Sequence, residues 1–243
     1  MVQFSQVFLR DPEYIRRIVD ALTENTELMK FIEVGPGEGV ITRELLKKGA
    51  TVYAIEIDRR LFEKLKNDVE LKLVLNLRLF LYNEDFLKFD LRKLPSPIRF
   101  FSNLPYAITS EAIHRIIEHR DMFPDVHLLL QKEVVDKLLE EKSFLSLWTS
   151  YHFHVERLFN VPRTAFSPVP RVHSSFIRMI PKERRLDDRG ERLLKRILRQ
   201  AFRQRRKKLK NTLKAFKIPE EFMDRRPEEL NLEDFVRIVE MNL

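Results

Sequence analysis

The chain has 243 residues, of which 44% are hydrophobic, so it can bury a sizeable core as one large domain or as a domain with a smaller companion. It contains no cysteine, which excludes disulfide bonds and thiolate metal sites and fits a reducing compartment. No apolar run approaches the roughly 20 residues that span a membrane, and no apolar signal core opens the chain. We therefore expect a cytoplasmic protein with no membrane contact.

The net charge of +8 is distributed unevenly along the chain. Residues 182–214 contain 15 Lys and Arg against four Asp and Glu, whereas the rest of the chain has 30 basic and 33 acidic residues. One segment therefore carries all of the excess positive charge. Such an asymmetry favours a polyanionic partner, and a nucleic acid in particular.

The first predicted elements are a helix and a buried strand. Asp11 and Pro12 are suited to be the N-cap and first-turn residue of a helix with an apolar face. Residues 28–34 then form an apolar run that contains one acid, Glu33, and predict a buried strand. A helix over residues 40–48, closed by Gly49, and a strand over residues 51–57 follow.

A glycine-rich turn joins the first strand to the second helix. Gly35, Gly37 and Gly39 are three of only five glycines in the chain, which favours a ligand-binding loop over an ordinary turn. A strand, a glycine turn, a helix and a strand that ends in an acid, Glu56, form the nucleotide-binding half of a doubly wound α/β sheet. The spacing is G-x-G-x-G rather than that of dinucleotide sites. With Glu33 and Glu38 beside the turn, a cationic ligand such as S-adenosylmethionine is favoured over a pyrophosphate.

The later predicted elements alternate between strand and helix up to about residue 181, and only helices are predicted after it. We predict a Rossmann-like methyltransferase sheet domain over residues 1–183 and a small, basic, all-helical RNA-binding domain over residues 184–243. The elements predicted between residues 61 and 180 are a helix marked by Leu61, Leu65 and Val69, strands over 76–82 and 98–102, a helix over 109–119, a strand over 126–130, helices over 133–140 and 143–153, and strands over 155–159 and 175–180.

Special residues follow the four predicted strands at their carboxyl ends, where ligands of open α/β sheets bind. They are Gly35, Glu56, Asp85 and Asn103. The carboxylate of Glu56 can accept hydrogen bonds from both ribose hydroxyls of a nucleoside. Asp85 can accept from an adenine amino group with Phe86 beside the ring, although a helix N-cap is the alternative role for this aspartate.

The tetrapeptide Asn103-Leu104-Pro105-Tyr106 is suited to methylation of an exocyclic adenine amine. The lone pair of that amine is delocalised into the ring, so the nitrogen is a poor nucleophile. The Asn103 side-chain oxygen and the Leu104 carbonyl can accept its two hydrogens and favour a tetrahedral nitrogen. Pro105 would stiffen the turn and Tyr106 would stack on a base that is unpaired or flipped from its helix.

The ordered set of motifs resembles the ribosomal RNA adenine dimethyltransferase family, which methylates two adjacent adenosines in the 3′-terminal hairpin of small-subunit RNA. The resemblance runs nearly end to end. The motifs that carry it are Gln6-Val7-Phe8-Leu9, Glu33-Val34-Gly35-Pro36-Gly37-Glu38-Gly39, Ile55-Glu56-Ile57-Asp58, Asp85-Phe86, Asn103-Leu104-Pro105-Tyr106, Gln131-Lys132-Glu133-Val134-Val135, Phe166-Ser167-Pro168-Val169-Pro170-Arg171-Val172 and Phe202-Arg203-Gln204-Arg205-Arg206-Lys207-Lys208-Leu209.

The resemblance implies S-adenosylmethionine as cofactor and ribosomal RNA of a pre-ribosomal small subunit as partner, with a monomeric enzyme acting in ribosome biogenesis. Tyr106 and Phe166 would sandwich the target adenine. Val7 stands where the family commonly has Asn or His, and Asn83-Glu84 precede Asp85 where a glycine is more usual. The implied cofactor-binding residues are Gln6, Val7, Leu9, Gly35, Gly37, Glu56, Ile57, Asp85, Phe86 and Asn103.

Six basic residues are crowded between positions 203 and 210 with no acid among them, as expected for contact with RNA phosphates. They are Arg203, Arg205, Arg206, Lys207, Lys208 and Lys210. A solvated charged surface is the alternative. His152 and His154 have no third ligand nearby in sequence, so we expect a structural role and no metal.

Three other functions remain open at this point. A large-subunit rRNA adenine methylase would share the cofactor residues. A methylase fold that only binds RNA would lack a reason to keep Asn103-Leu104-Pro105-Tyr106. A dehydrogenase is disfavoured by the glycine spacing.

Overall fold

A mixed seven-stranded sheet is the centre of the fold in the computed structural model, which describes residues 7–24, 26–68 and 78–243. A separate two-stranded sheet joins β1 (Phe8–Leu9) to β8 (Phe166–Ser167). The strands of the main sheet in spatial order are β4 (Leu79–Tyr82), β3 (Thr51–Ile55), β2 (Lys30–Val34), β5 (Arg99–Asn103), β6 (Val126–Gln131), β9 (Ser174–Pro181) and β7 (Phe153–Val161).

Five neighbouring strands, β4, β3, β2, β5 and β6, run parallel, and β9 pairs antiparallel with β6. Their centres are continuous apolar runs because a parallel sheet is covered on both faces. Phe31, Phe100 and Leu128 are accordingly fully buried. These features confirm the predicted α/β, Rossmann-like fold class.

The strand order reverses between β2 and β5, which creates a switch point at the carboxyl edge of the sheet. Val34 and Ser102 are paired across the two strands there. The buried Ser102 hydroxyl donates to the Val34 carbonyl over 2.6 Å and fastens the two strand ends together. In open α/β sheets, ligands bind in the crevice beyond such a point.

The helices agree closely with the expected periodicity. Asp11 accepts a hydrogen bond from the Glu13 amide at 2.9 Å and caps the first helix, as predicted. Val69 and residues 76–77, assigned above to a helix and a strand, lie outside the described residues, as does Gln6. The helices are α1 (Pro12–Thr23), α2 (Val40–Lys47), α3 (Arg59–Asn67), α4 (Thr109–Glu118), α5 (Lys132–Glu140), α6 (Phe144–His152), α7 (Asp188–Phe202), α8 (Leu209–Thr212), α9 (Glu220–Met223) and α10 (Leu232–Glu240).

Spatial contacts divide the chain into two compact units. The first comprises Met1–Lys132 and Glu156–Pro181, and the second comprises Glu133–Val155 and Lys182–Leu243. The return to the second unit at Lys182 lies near the boundary placed at 183/184 from the sequence. The grouping of Glu133–Val155 with the C-terminal segment differs from that expectation.

The packing of the second unit explains this grouping. Its long helix α7 packs against α6 and α10 and buries Leu194, Ile197 and Leu198. The Tyr151 hydroxyl accepts a hydrogen bond from the Leu186 amide at 3.0 Å, and the His152 carbonyl accepts one from the Lys182 amide at 2.8 Å. Helix α6 thus completes the core of the C-terminal helices, although it precedes them by some 40 residues.

Candidate active site

The glycine turn lies at the switch point, directly after β2. Gly35, Gly37 and Gly39 all have positive φ, at 68°, 59° and 74°, which L side chains rarely adopt. A Cβ placed at Gly35 would meet no atom within 4 Å, so the space beside it is open. A Cβ at Gly39 would lie 2.4 Å from the Leu65 side chain. The first glycine therefore leaves room for a ligand, and the last permits close packing.

Glu56 lies across from this turn, just beyond β3. Its carboxylate accepts hydrogen bonds from the Gly37 amide at 3.1 Å and from the Asp58 amide at 2.8 Å. Burial raises the pKa of Glu56, and the backbone amides of Asp58, Gly37 and Ile57 oppose the rise only in part. These amides use only part of the hydrogen-bonding capacity of the carboxylate, which can still accept from a ribose hydroxyl.

The two other acids near the turn have different environments. Glu33 is only 2% exposed and accepts a hydrogen bond from the Thr42 hydroxyl at 2.6 Å. Burial raises its pKa to about 7, and the nearby Glu56 adds to the rise. Glu38 instead forms ion pairs with Arg10 and with Lys64, the latter at 2.8 Å. Glu38 therefore fastens local elements to each other, and its charge is already neutralised.

The N-terminal segment lies beside the glycine turn, and Phe8 is the side chain that approaches it. The Phe8 ring reaches within 3.1 Å of the Cβ position that Gly37 lacks. Val7 and Leu9, implied above as the residues that close over the cofactor, pack on the hydrophobic core. The alternation of side chains along a strand explains this, because Phe8 must face away from its two neighbours. Phe8 was not among the predicted site residues, although the alternation of side chains along a strand indicates that it faces away from Val7 and Leu9.

The segment just beyond β4 contains Asp85 and Phe86. It also contains Asn83, for which no role was predicted. The Asp85 carboxylate accepts from the Leu87 amide at 2.9 Å at the start of a turn over residues 86–88, so it does not cap a helix there, and its contact with an adenine amino group stays a prediction. Phe86 is 3% exposed and packs against Phe100. Asn83 donates from its amide to the Glu56 carbonyl at 2.8 Å and so ties this strand end to the neighbouring one. Beside it, the Ile57 side chain is 49% exposed, which leaves an apolar surface for a ring.

Asn103 ends β5 at the switch point, and its neighbours form a fixed turn. Its side-chain amide makes no hydrogen bond to any described residue. Leu104 is 1% exposed and anchors the backbone, while the Pro105 carbonyl accepts from the Ile108 amide at 3.2 Å. Tyr106 begins a short 3₁₀ helix, Tyr106–Ile108, as the backbone leaves the sheet.

Phe166, the second predicted stacking residue, lies in β8 and is paired with Leu9. It is 4% exposed and belongs to the core cluster that also contains Leu129 and Phe176. The Ala165 carbonyl just before it accepts hydrogen bonds from the Arg10 and Asp11 amides, at 2.8 and 3.2 Å. The observed role of Phe166 is therefore packing, and its stacking on adenine stays a prediction.

Within the second unit, the basic residues form a wider surface than the run predicted from the sequence. An open groove of about 790 Å³ lies along α7. The guanidinium groups of Arg196 and Arg199 lie over the rings of Phe216 and Phe144, at 5.2 and 5.6 Å. The residues that line the groove are Arg192, Lys195, Arg196, Arg199, Gln200, Arg203, Gln204, Asn211 and Thr212.

The predicted run from 203 to 210 divides into two sets. Asp224 pairs with Lys208 at 2.8 Å and with Lys210 at 2.7 Å, and these contacts lower its pKa to about 2. Arg203, Arg205, Arg206 and Lys207 are exposed, and among the described residues they have no carboxylate partner. Asp224 thus partly neutralises the charges of Lys208 and Lys210, whereas no carboxylate neutralises the other four basic residues of the run.

The remaining sequence expectations concern metals and membranes. Residues 7–24, 26–68 and 78–243 contain no group of three His, Asp or Glu side chains that could hold a metal ion. His152 packs edge-on to Trp148 and Tyr151, with ring centroids 4.3 and 4.8 Å apart. No helix in the described part of the chain has both the length and the apolar character that a membrane crossing requires.

Comparison with known proteins gives a consistent result. The ribosomal RNA adenine dimethylase family matches residues 2–239. The chain is 39% identical over 251 residues to the ribosomal RNA small subunit methyltransferase A of Pseudomonas aeruginosa, with 97% of this chain and 92% of that protein covered.

Two solved structures are similar over almost their whole length. The 23S rRNA methyltransferase ErmE has a TM-score of 0.77 and 26% identity, and the match covers 97% of this chain and all of that one. A dimethyladenosine transferase from Plasmodium falciparum has a TM-score of 0.78 with 97% of each chain covered, but at 23% identity it supports only the fold. From its sequence, its fold and its closely matched length, the chain belongs to the ribosomal RNA adenine dimethylase family and is a methyltransferase.

Proposed function

We propose that this enzyme uses S-adenosylmethionine to dimethylate the N6 amines of two adjacent adenosines in the 3′-terminal hairpin of small-subunit ribosomal RNA, during ribosome biogenesis. The observation that carries the proposal is the position of Asn103 at the switch point, where its strand neighbour Ser102 is bonded to the residue before Gly35. Three features therefore lie at one edge of the sheet. They are the Asn103 side-chain amide, which has no hydrogen-bond partner among the described residues, the open space beside Gly35 and the Glu56 carboxylate.

The residues at this edge suit S-adenosylmethionine. When bound, this cofactor would supply an electrophilic methyl group on a positively charged sulfonium. Gly35 leaves open space, and Glu56 is placed to accept from the ribose. Glu33 and Glu56 are buried and have no cation within hydrogen-bond distance among the described residues, so a cationic ligand would relieve their desolvation.

The turn after β5 would perform the chemistry by positioning. The side-chain oxygen of Asn103 and the backbone carbonyl of Leu104 would accept hydrogen bonds from the two N6 hydrogens. These bonds would hold the nitrogen in a geometry that exposes its lone pair. Held by these two oxygens, the N6 nitrogen would accept the methyl group that S-adenosylmethionine supplies, with a neutral thioether as the leaving group, and would release one proton to solvent. The buried Leu104 side chain keeps its carbonyl in place, so little reorganisation is needed.

The second unit would bind the RNA backbone. The groove along α7 and the exposed Arg203, Arg205, Arg206 and Lys207 present cations without base-specific geometry, which suits contact with phosphates rather than base edges. Lys208 and Lys210 contribute less because Asp224 holds them. We propose that the enzyme acts as a monomer on the pre-ribosomal small subunit.

Two other functions are less well supported. The resemblance to ErmE makes a large-subunit substrate the second candidate, but at 26% identity it is more distant than the small-subunit methyltransferase at 39%. An RNA-binding factor without catalysis would not need an Asn103 side chain that has no hydrogen-bond partner among the described residues.

The test is to incubate the protein with methyl-labelled S-adenosylmethionine and either unmethylated small subunits or large subunits, and then to map the modified base. We expect label on two adjacent adenosines of small-subunit RNA only. Label on the large subunit alone would favour the second candidate, and no label on either would favour the non-catalytic one.

A variant then connects the site to the reaction. Asn103→Ala should lower the methylation rate by about 10²- to 10³-fold, as for the loss of one transition-state hydrogen bond, while RNA affinity stays within about twofold. The matched control is Asn67→Ala on the exposed end of α3, which should methylate at the parent rate. Parent-like activity of the Asn103 variant would exclude the acceptor role.

A further inference from the structure

A short loop between β8 and β9 lies at the same edge of the sheet as Asn103. At one end of the loop, Phe166 pairs with Leu9. At the other, Ser174 pairs with Gln131 at the carboxyl end of β6. Asn103 pairs with Leu129 on the opposite side of β6, so the loop begins and ends close to the proposed catalytic turn.

This loop is held firmly at both ends. The His173 carbonyl accepts a hydrogen bond from the Lys132 amide at 2.9 Å, and its Nδ1 accepts one from the Arg163 amide at 3.3 Å. Pro168 and Pro170 restrict the backbone on both sides of the tip, and Pro170 is buried. The residue between them, Val169, is therefore presented in a fixed position.

Val169 is 57% exposed, the largest fraction among the large apolar side chains in the described part of the chain. A single exposed apolar residue is ordinary by itself. Here, however, it lies in a loop anchored at Phe166 and His173, and exposed arginines precede and follow it in the chain, Arg163 and Arg171. Residues 162–173 contain no acid, in a chain where 34% of residues are charged. The surface thus combines one apolar tip with positive charge.

Proteins that distort nucleic acids use this combination. An apolar side chain inserts at a base step and replaces part of the lost stacking, while cations hold the phosphates on either side. An enzyme that methylates N6 must take its adenine out of the stack. An inserted side chain can fill the gap that the adenine leaves.

We propose that Val169 is a wedge that inserts beside the target adenosine in the RNA and favours its extrusion, with Arg163 and Arg171 on the flanking phosphates. This inference rests on the proposed function, because it assumes an RNA adenine substrate. It assigns to the first unit a specificity-determining contact separate from the basic groove of the second.

The experiment uses two RNA probes with the full-length protein. The first is a synthetic hairpin of the small-subunit 3′ end with 2-aminopurine at one target adenosine, whose fluorescence rises when the base leaves its stack. The second is the unmethylated small subunit, used to measure kcat/KM for methylation. Val169→Thr keeps the shape of the side chain but makes it polar, and Val169→Ile is the matched apolar control.

We expect Val169→Thr to lose most of the fluorescence rise and at least about tenfold in kcat/KM, with cofactor affinity unchanged. Val169→Ile should retain both signals. Arg171→Gln should reduce the salt dependence of hairpin binding by about one unit but keep the fluorescence rise at saturation.

Parent-like fluorescence and parent-like kcat/KM in Val169→Thr would overturn the wedge. A parent enzyme that does not methylate small subunits would instead contradict the proposed function. In that case the fluorescence arm still tests the wedge, since a rise that is present in the parent and lost in Val169→Thr supports it and an equal rise in both overturns it.

Discussion

Buried charges lie at both ends of the central sheet, but they are arranged in opposite ways. At the amino end, Arg99 and Asp125 are each 3% exposed and form a two-pronged ion pair, with one contact of 2.8 Å. The Leu22 carbonyl accepts a further hydrogen bond from Arg99, and Arg178 approaches Asp125 to 3.4 Å. At the carboxyl end, Glu33 and Glu56 are equally buried and no described cation contacts either of them.

The pKa directions follow this difference. Burial alone would raise the pKa of Asp125, but the hydrogen bonds and charge of Arg99 bring it below its usual value. Burial raises the pKa of Glu33 to about 7 and that of Glu56 in the same direction, and at Glu33 the Thr42 hydroxyl and the charge of Arg43 oppose the rise only in part. The buried charges at the amino end thus compensate each other, whereas the carboxyl end keeps an electrostatic cost that a cationic ligand would reduce.

The largest expected effect comes from breaking the amino-end pair. Asp125→Ala leaves Arg99 buried without its partner and should lower the free energy of unfolding by about 3–5 kcal/mol, measured by urea denaturation. The control is Asp121→Ala, whose side chain is 92% exposed and which should change stability by less than about 0.5 kcal/mol. A loss of under about 1 kcal/mol in the Asp125 variant would show that the buried pair of Arg99 and Asp125 is not needed for stability.

The next effect concerns the pH dependence that Glu33 imposes. Its pKa is about 7 in the folded protein and 4.5 ordinarily, so the folded state holds a proton that the unfolded state has released between these values. The parent should therefore lose stability as the pH rises from about 4.5 to about 7, by up to about 3 kcal/mol. Glu33→Gln should remove the Glu33 part of this slope and leave only the contribution of Glu56, as seen in urea denaturation from pH 5 to pH 8.

An exposed acid provides the control for this prediction. Glu44→Gln, on α2 in an ion pair with Lys47 at 2.7 Å, should keep the parent profile. If Glu33→Gln and the parent show the same slope, the carboxyl end does not carry the electrostatic cost inferred from its burial.

A smaller effect is expected when Glu56, the acid proposed to bind the cofactor ribose, is removed. Glu56→Ala deletes a charged acceptor for the ribose hydroxyls, so S-adenosylmethionine should bind about tenfold to a hundredfold more weakly, or about 1.5–3 kcal/mol. RNA affinity should be nearly unchanged. Calorimetry with Glu84→Ala, an exposed acid at the next strand end, is the matched comparison. Parent-like cofactor affinity in the Glu56 variant would remove this residue from the site.

The same contrast between paired and unpaired charge occurs in the second unit and predicts the smallest changes. Replacing Arg205, Arg206 and Lys207 by Gln should flatten the dependence of log RNA affinity on log salt by about two to three units. The same change at Lys208 and Lys210 should have a smaller effect because Asp224 already neutralises part of their charge.

Filter binding over a salt series measures these slopes, and cofactor affinity should stay constant throughout. Asp224→Asn is the complementary variant, since it frees the two lysines and should steepen the slope. An unchanged slope in the triple variant would mean that the run is a solvated surface, and the groove along α7 would then be the next surface to test.

Local spacing was sufficient to predict the fold class and the chain positions at the switch point. Three glycines after an apolar strand predicted the turn at Gly35 because few other residues adopt positive φ there. An acid after the next strand predicted Glu56. Asn103-Leu104-Pro105-Tyr106 was recognisable because a proline-containing turn after a strand is a short-range pattern. The relations among these residues followed from parallel strand order alone.

The partners of the charged residues could not be read in the same way. Glu33 and Glu38 are both beside the glycine turn in sequence, yet one is buried against Thr42 and the other binds Arg10 and Lys64. Lys208 and Lys210 belong to one basic run with Arg205 and differ from it only because Asp224 folds back beside them.

By itself, the sequence determined which backbone positions carry the glycine turn, the acids and the tetrapeptide Asn103-Leu104-Pro105-Tyr106, because dihedral preferences and hydrophobic periodicity act over a few residues. Only the tertiary structure decided which side chain covers the glycines, which segments share the second core, and which charges are compensated. These depend on contacts between residues far apart in the chain, such as Phe8 with Gly37 and Asp224 with Lys208, and on the burial that sets the pKa of each acid.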